Sequence, residues 1–364
     1  MKLFSELYNN KKVIVTGHTG FKGSWLCFWL IKLGADVYGI SDKITTNPSH
    51  YELLNLKIHS FFIDIRDRSV LDSKIKEINP DIIFHLAAQP LVRYSYREPV
   101  ETFETNVMGT INILNTCLSL SNCKGMVNIT SDKCYENFED DRAYHEYDKM
   151  GGFDPYSASK GAAELVVSSF RNSFFNIKEF GKNHQFILAS ARAGNVIGGG
   201  DWSEDRLIPD LIKDVIQHKI TTIRSPFATR PWQHVLEPLS GYLVLGQKIL
   251  EGDISISDGW NFGPENNETL AVKEVLEEAK KIWQQINFDF PNLENEPHEA
   301  SLLRLDCSKA NQQLNWIPIW NIHQSIEKTI NWYKKFYIEN SVTTEADLIA
   351  YINHAKTKNS HWTK

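Results

Sequence analysis

Lys12-Val13-Ile14-Val15-Thr16-Gly17-His18-Thr19-Gly20-Phe21-Lys22-Gly23-Ser24-Trp25 is the stretch that decides how the chain is read. Its first five residues form a short apolar run of strand length. From Ser24 the apolar residues Trp25, Leu26, Phe28, Trp29, Leu30 and Leu33 recur at helical spacing and stop at Gly34. Gly17, Gly20 and Gly23 stand between the two. Three glycines at that spacing say little by themselves. Between a strand and a helix they permit a tight turn and a close backbone approach to a diphosphate. The unpaired N–H groups and the dipole of the helix N-terminus favour its negative charge. The turn therefore predicts a dinucleotide site built from Gly17, Thr19, Gly20, Phe21, Lys22 and Gly23. His18 and Lys22 are open to two readings, contact with the cofactor or packing on the surface.

Outward from this turn the same rhythm repeats. Residues 37–40 read as a second strand, 60–63 as a third, 82–86 as a fourth, 125–130 as a fifth and 186–191 as a sixth. Helical patterns fill 70–78, 100–120 and 157–175. Strands alternating with helices predict a parallel sheet covered on both faces, an α/β fold of the doubly wound Rossmann type. After Ala191 the rhythm breaks into a glycine-rich segment and short mixed elements. We read residues 1–191 as the dinucleotide-binding domain, with a return segment near 235–265. Residues 192–340 read as an interleaved, smaller mixed α/β lobe for the substrate, and 341–364 as a tail.

Composition narrows the class. A net charge of -6 without a basic face argues against nucleic-acid binding. No apolar run is long enough to span a membrane, and Met1-Lys2-Leu3-Phe4-Ser5-Glu6 lacks the apolar core of a signal peptide. Cys27, Cys117, Cys123, Cys134 and Cys307 are scattered and odd in number. They point to reduced thiols, a cytoplasmic protein and no metal site. Cys134 reads as a small buried side chain.

The ends of the strands carry the ionisable residues, where open α/β sheets bind ligands. Asp42, after the second strand, suits the ribose hydroxyls of NAD and repels the 2′-phosphate of NADP, although Lys43 lies beside it. A solvated turn is the other reading of Asp42. Asp64 and Ile65, followed by Arg66, are placed to meet the adenine or to form an exposed ion pair. Leu86, Ala87 and Ala88 leave the fourth strand towards the cofactor. His85 reads as a satisfied core histidine. Thr130-Ser131-Asp132-Lys133-Cys134-Tyr135 ends the fifth strand, and Tyr156-Ser157-Ala158-Ser159-Lys160 opens a helix. Residues four apart are helical neighbours, so Tyr156 and Lys160 share a face. An ammonium beside a phenol favours the phenolate. That phenolate can accept a hydroxyl proton as hydride leaves for a nicotinamide.

With these residues in place the chain, roughly through Trp320, resembles the extended short-chain dehydrogenase/reductases that act on nucleotide sugars. Three strings are similar to those of the CDP-glucose 4,6-dehydratases: residues 16–25, Arg192-Ala193-Gly194-Asn195-Val196-Ile197-Gly198-Gly199-Gly200-Asp201-Trp202, and Arg230-Pro231-Trp232-Gln233-His234-Val235. His298-Glu299-Ala300, followed by Leu305-Asp306-Cys307-Ser308-Lys309-Ala310, is similar too. The resemblance implies bound NAD and a nucleotide-sugar substrate, oxidised at C4, dehydrated across C5 and C6, then reduced at C6. It implies Tyr156 as base at C4, held by Lys160 and Ser131, with Asp132 as acid and Lys133 as base for the elimination. Lysine at 133 departs from the dTDP-glucose enzymes, which carry glutamate. Such a base must be neutral, which burial among positive neighbours promotes.

The resemblance also implies Asn195 and Arg230 as diphosphate ligands, with Arg206 a weaker candidate and Arg93 and Tyr94 lining the sugar pocket. Many relatives carry a phosphate-binding arginine in a region occupied here by Ser301, Leu302 and Leu303, with Arg304 out of step. It further implies a homodimer. Two helices would pair as a four-helix bundle, one carrying Phe103, Val107, Ile111, Leu114 and Leu118, the other Ala162, Leu165, Val166 and Phe170. Apolar stripes alone establish only a face that seeks cover. The alternatives are a dehydratase for another nucleotide sugar, a nucleotide-sugar C4 epimerase, and a non-catalytic dinucleotide sensor on the same scaffold.

Overall fold

The computed structural model describes residues 1–139, 142–265, 269–291 and 303–364. The string His298-Glu299-Ala300, with Ser301 and Leu302, lies outside the described residues.

Seven parallel strands form the main sheet: β1 (Lys12–Thr16), β2 (Asp36–Ser41), β3 (His59–Phe62), β4 (Ile82–His85), β5 (Gly125–Ile129), β6 (Ile187–Ala193) and β7 (Gly259–Phe262). Their spatial order is β3-β2-β1-β4-β5-β6-β7. The chain starts at the centre, winds to one edge, then crosses to the other. The crossover between β1 and β4 is the switch point at which such sheets bind dinucleotides. The central strands are apolar throughout because helices cover both faces. In β4 and β5 every residue is buried.

Helix Arg68–Ile78 ends at Asn79, which takes a left-handed conformation before Pro80. The helical pattern expected over 100–120 is less regular than its periodicity suggests. It runs as Pro99–Phe103, a π-helical turn Glu104–Met108, and Gly109–Cys117. A separate short helix, Val92–Arg97, precedes it. The extra residue of a π turn re-aims side chains, and such turns gather at functional sites. Here it delivers Asn106, whose amide donates to Gln89 O at 3.1 Å and Ser159 Oγ at 2.8 Å.

One apolar core fills the side of the sheet covered by helices Phe21–Lys32 and Leu236–Glu251. A second lies on the other face, around Leu71, Ile75, Leu114 and Val167. A third, around Leu211, Ile212, Leu276, Ile326 and Tyr333, unites the elements beyond the sheet. The last residues are not a loose appendage. Helix Thr344–Thr357 and the turn His361–Thr363 pack into the first core, where Trp362 stacks on Phe4 at 5.2 Å. Among the described residues, no helix is long and apolar enough to cross a membrane.

Candidate active site

The carboxyl ends of the central strands open into a cavity of about 980 Å3 that continues between the sheet and the elements beyond it. Its lining includes nearly every residue singled out above. Gly17, Thr19, Gly20, Phe21, Lys22 and Gly23 form one wall, with Asp42, Asp64, Ile65, Leu86, Ala87 and Ala88 beside them. Ser131, Asp132, Lys133, Tyr156 and Lys160 lie in the middle. Arg93, Tyr94, Asn195, Arg206 and Arg230 lie towards the far side.

The glycine turn has the shape a dinucleotide requires. Gly17 has φ +72°, and a Cβ there would fall 2.8 Å from Ala87 N. A Cβ on Gly23 would meet Gly17 O at 2.0 Å. No side chain caps the N-terminus of helix Phe21–Lys32, so its first amides face the cavity wall without a side-chain acceptor. Asp42 is exposed, with Lys43 Nζ 3.8 Å from its carboxylate. Asp64 accepts from the Arg66 guanidinium at 2.6 Å and 2.9 Å, which holds its carboxyl below the usual range. Ion pair and cavity lining are thus both true of Asp64. These features fit NAD on an observation of shape and charge alone.

Two residues of the turn behave differently. Lys22 lines the cavity, and burial pushes its ammonium down to about 8, helped by Arg206. His18 does neither of the things expected of it. It is fully buried against Gly39, bridging Ser41 Oγ at 3.0 Å and Ser60 Oγ at 2.7 Å. Burial lowers its pKa to about 4, so the ring is a neutral spacer between β2 and β3. His85 is the satisfied core histidine expected, held by Thr16 Oγ1 at 2.7 Å and Thr110 Oγ1 at 3.1 Å. Cys134 is fully buried, and burial pushes its thiol far up, which leaves it inert.

β5 ends at Ile129, and a short turn, Asp132–Cys134, follows with Ser131 as its cap. Ser131 Oγ donates to Asp132 Oδ1 at 2.8 Å and lies close enough to the Tyr156 phenol to favour its ionised form. Asp132 is 2% exposed, yet its Oδ2 has no hydrogen-bond partner among the described residues. A buried carboxylate oxygen without a donor is costly unless a ligand supplies one. Lys133 is half-buried, less enclosed than the neutral-base reading assumed.

Helix Pro155–Ser173 is capped by Asp154, which accepts from Ser157 N at 2.9 Å. It presents Tyr156 and Lys160 on one face, both nearly buried. The expected lowering of the phenol by Lys160 does not emerge. Burial dominates and pushes Tyr156 up to about 12, opposed first by the Ser131 hydrogen bond; the charges acting on it are Asp132, Arg206 and Asp154. Lys160 is itself pushed down to about 8 by burial, with Cys134 and Glu164 opposing. Arg206 donates to Asp201 Oδ2 at 2.9 Å and lies close enough to act on both Tyr156 and Lys22. Arg93 Nε lies 4.0 Å from Asp205 Oδ1. Leu303 reaches the cavity, whereas Arg304 is not among its lining residues.

Behind the catalytic turn lies a polar network that the sequence reading missed. Glu164 is 3% exposed and accepts from Arg192 Nη2 at 2.7 Å and Ser190 Oγ at 2.9 Å, and from Thr130 Oγ1. Arg192 Nη1 donates to the Tyr135 hydroxyl at 2.7 Å, which donates to Asn261 Oδ1 at 2.7 Å. The network ties β5, β6, β7 and the Tyr–Lys helix together. Its signal was present: Glu164 sits one turn beyond Lys160 between apolar residues, and Arg192 interrupts a buried strand.

Residues 14–329 match the model of the GDP-mannose 4,6-dehydratase family. Over 329 residues the chain is 50% identical to a CDP-glucose 4,6-dehydratase of Salmonella typhimurium, covering 90% of this chain and 91% of that one. It is 24% identical to a UDP-glucose 4-epimerase of Mycoplasma pneumoniae, over 90% and 97% of the two chains. Among solved structures, an epimerase of Methanothermobacter thermautotrophicus superposes with a TM-score of 0.79 at 22% identity, covering 94% of this chain and 98% of that one. That likeness establishes the fold.

Proposed function

The chain belongs to the GDP-mannose 4,6-dehydratase family, and from that membership we propose that it converts CDP-D-glucose to CDP-4-dehydro-6-deoxy-D-glucose with bound NAD. The nucleotide and sugar rest on the 50% identity to the Salmonella enzyme. The chemistry rests chiefly on one observation: a buried Asp132 whose Oδ2 has no partner among the described residues, next to Lys133 and bound by Ser131 near Tyr156. An epimerase or a sensor has no use for such an acid beside a base.

NAD would be held by the Gly17–Gly23 turn, with Asp42 at the adenosine ribose, Asp64 and Ile65 near the adenine, and Leu86 to Ala88 along its length. Tyr156 and Lys160 would close the nicotinamide end. When bound, NAD would supply the reversible hydride chemistry that links C4 and C6 of the sugar. Tyr156 takes the C4 hydroxyl proton, with Ser131 fixing the phenol. Lys160 sets the local positive charge. The C4 ketone acidifies the C5 hydrogen, which Lys133 removes. Asp132 Oδ2 delivers a proton to the departing C6 hydroxyl, so water leaves; as hydride reaches C6, the Lys133 ammonium, in exchange with water, returns a proton to C5, and atoms balance. Asn195 and Arg230 are assigned to the diphosphate, Arg206 to its inner end, and Arg93 to the sugar. A guanidinium offers a planar donor fork suited to phosphate.

We assign a homodimer as the working form. Phe103, Leu118 and Leu165 are exposed, Leu165 by 61%, whereas Leu114 belongs to the core and Val107, Ile111, Ala162, Val166 and Phe170 are half-buried, so only part of each expected stripe remains uncovered. Four of the five cysteines are buried and all are free, which suits a reducing cytoplasm. The test is incubation of the cofactor-loaded protein with CDP-glucose, UDP-glucose, dTDP-glucose and GDP-mannose. A 4-keto product from CDP-glucose is expected. Turnover confined to another sugar nucleotide contradicts the substrate, and a C4 epimer as sole product contradicts the reaction.

A further inference from the structure

The far end of the cavity holds a carboxylate that the mechanism does not use. Helix Leu207–Ile216 turns Ile208, Leu211, Ile212 and Val215 into the core, and Asp210 lies in its first turn, lining the cavity. Strand segment Thr221–Thr222 packs alongside and lines the same end. Thr221 is 4% exposed, and its hydroxyl has no hydrogen-bond partner among the described residues. Leu207, Ile208 and Ile223 give this end apolar walls.

The position is separate from the reacting centre. Arg206, one turn earlier, acts on Tyr156 and Lys22, whereas the charges around Asp210 are Asp205, Lys213, Arg224 and Asp214. Burial, then Asp205, pushes the Asp210 carboxyl up to about 6, against Lys213 and Arg224. An acidic group here repels a diphosphate. The part of the ligand that faces it must offer a donor and must be flat enough for the apolar walls.

We propose that Asp210, supported by Thr221, reads the amino edge of the substrate's cytosine and so selects cytidine over uridine and thymidine sugar nucleotides. This rests on the proposed CDP-glucose reading. Cytosine presents an N4 amino donor where uracil and thymine present the O4 acceptor, and a carboxylate pairs with the first and repels the second. A site built around such a donor rejects the analogue lacking it strongly, because its own polar groups are left unpaired. The Thr221 hydroxyl, donor and acceptor, suits the neighbouring ring atoms.

The experiment compares kcat/KM for CDP-glucose and UDP-glucose in the cofactor-loaded wild type, Asp210→Asn and Thr221→Val. An asparagine amide can turn either its oxygen or its N–H2 to the ring, so Asp210→Asn should cut the CDP:UDP ratio by about 100-fold. Thr221→Val should cut the ratio by a smaller factor. Calorimetry with CDP and UDP, which needs no turnover, should show the same loss of preference. An unchanged ratio in Asp210→Asn, or an equal loss with both sugars as a ribose contact would give, overturns the assignment alone. A wild type that does not prefer CDP-glucose overturns the substrate reading and this assignment with it.

Discussion

At the residue scale, the chemistry depends on which oxygen of Asp132 is free. Oδ1 is held by Ser131, and Oδ2 faces Gly194, where an added Cβ would approach it to 3.1 Å. Among the described residues, the hydrogen bond that holds Lys133 is that of its backbone amide, which donates to Ser131 Oγ at 3.2 Å. Its role as base predicts that Lys133→Ala retains NAD but slows solvent exchange at C5 of the bound sugar by 10²–10⁴-fold, the usual contribution of a positioned base. Deuterium incorporation followed by NMR measures this, and exchange at the wild-type rate would remove Lys133 from the mechanism. The residues proposed for catalysis could be singled out in the sequence because their spacing is local: a strand end and a helical Tyr–Lys pair. The state of the phenol was not. It depends on burial from several elements, and burial pushes Tyr156 up where a lone lysine neighbour predicted the reverse.

At the element scale, buried polar contacts hold the strand ends in register with the helices. Removing one partner of the Glu164–Arg192 pair leaves a buried charge uncompensated. Arg192→Met should therefore destabilise the fold by about 3–5 kcal/mol in denaturant unfolding. A loss within about 0.5 kcal/mol would mean that solvent already reaches the pair. The C-terminal segment is held in a similar way. Glu237 is fully buried and accepts from Trp320 N at 2.7 Å, Ile319 N at 2.8 Å and the Tyr351 hydroxyl at 2.8 Å. Burial raises its carboxyl from the ordinary value of 4.5 to about 7. Between those values the folded protein binds more protons at Glu237 than the unfolded chain does. Its contribution to stability is thus full at acid pH and declines as pH rises towards about 7. Glu237→Gln should flatten that part of a melting-temperature profile; an equally steep profile would contradict it. The alternating strands and the main helices up to Ala191 were readable from periodicity, since each long helix carries its own apolar face. The π turn at Glu104–Met108 and the docking of Trp362 were not, because both answer to distant partners: Gln89 and Ser159 for Asn106, and Phe4, Trp29 and Tyr351 for Trp362.

At the scale of the whole molecule, the winding order of the sheet explains why one cavity serves cofactor and sugar together. The switch point between β1 and β4 opens the dinucleotide groove, and the elements after β6 cover its far side. The exposed stripe through Phe103, Leu118 and Leu165 is the surface expected to join two such molecules. Leu165→Glu should convert a dimer to monomers in light scattering, and a wild type already monomeric at micromolar concentration would contradict the bundle. The central claim is that one site oxidises, dehydrates and reduces a single bound sugar. It is tested most directly by turnover of CDP-glucose carrying deuterium at C4, in ordinary water, with the product examined by NMR and mass spectrometry. The account predicts a 4-keto-6-deoxy sugar with the label moved to C6 and a hydrogen from water at C5. An unlabelled C6, or no 4-keto sugar at all, would contradict it.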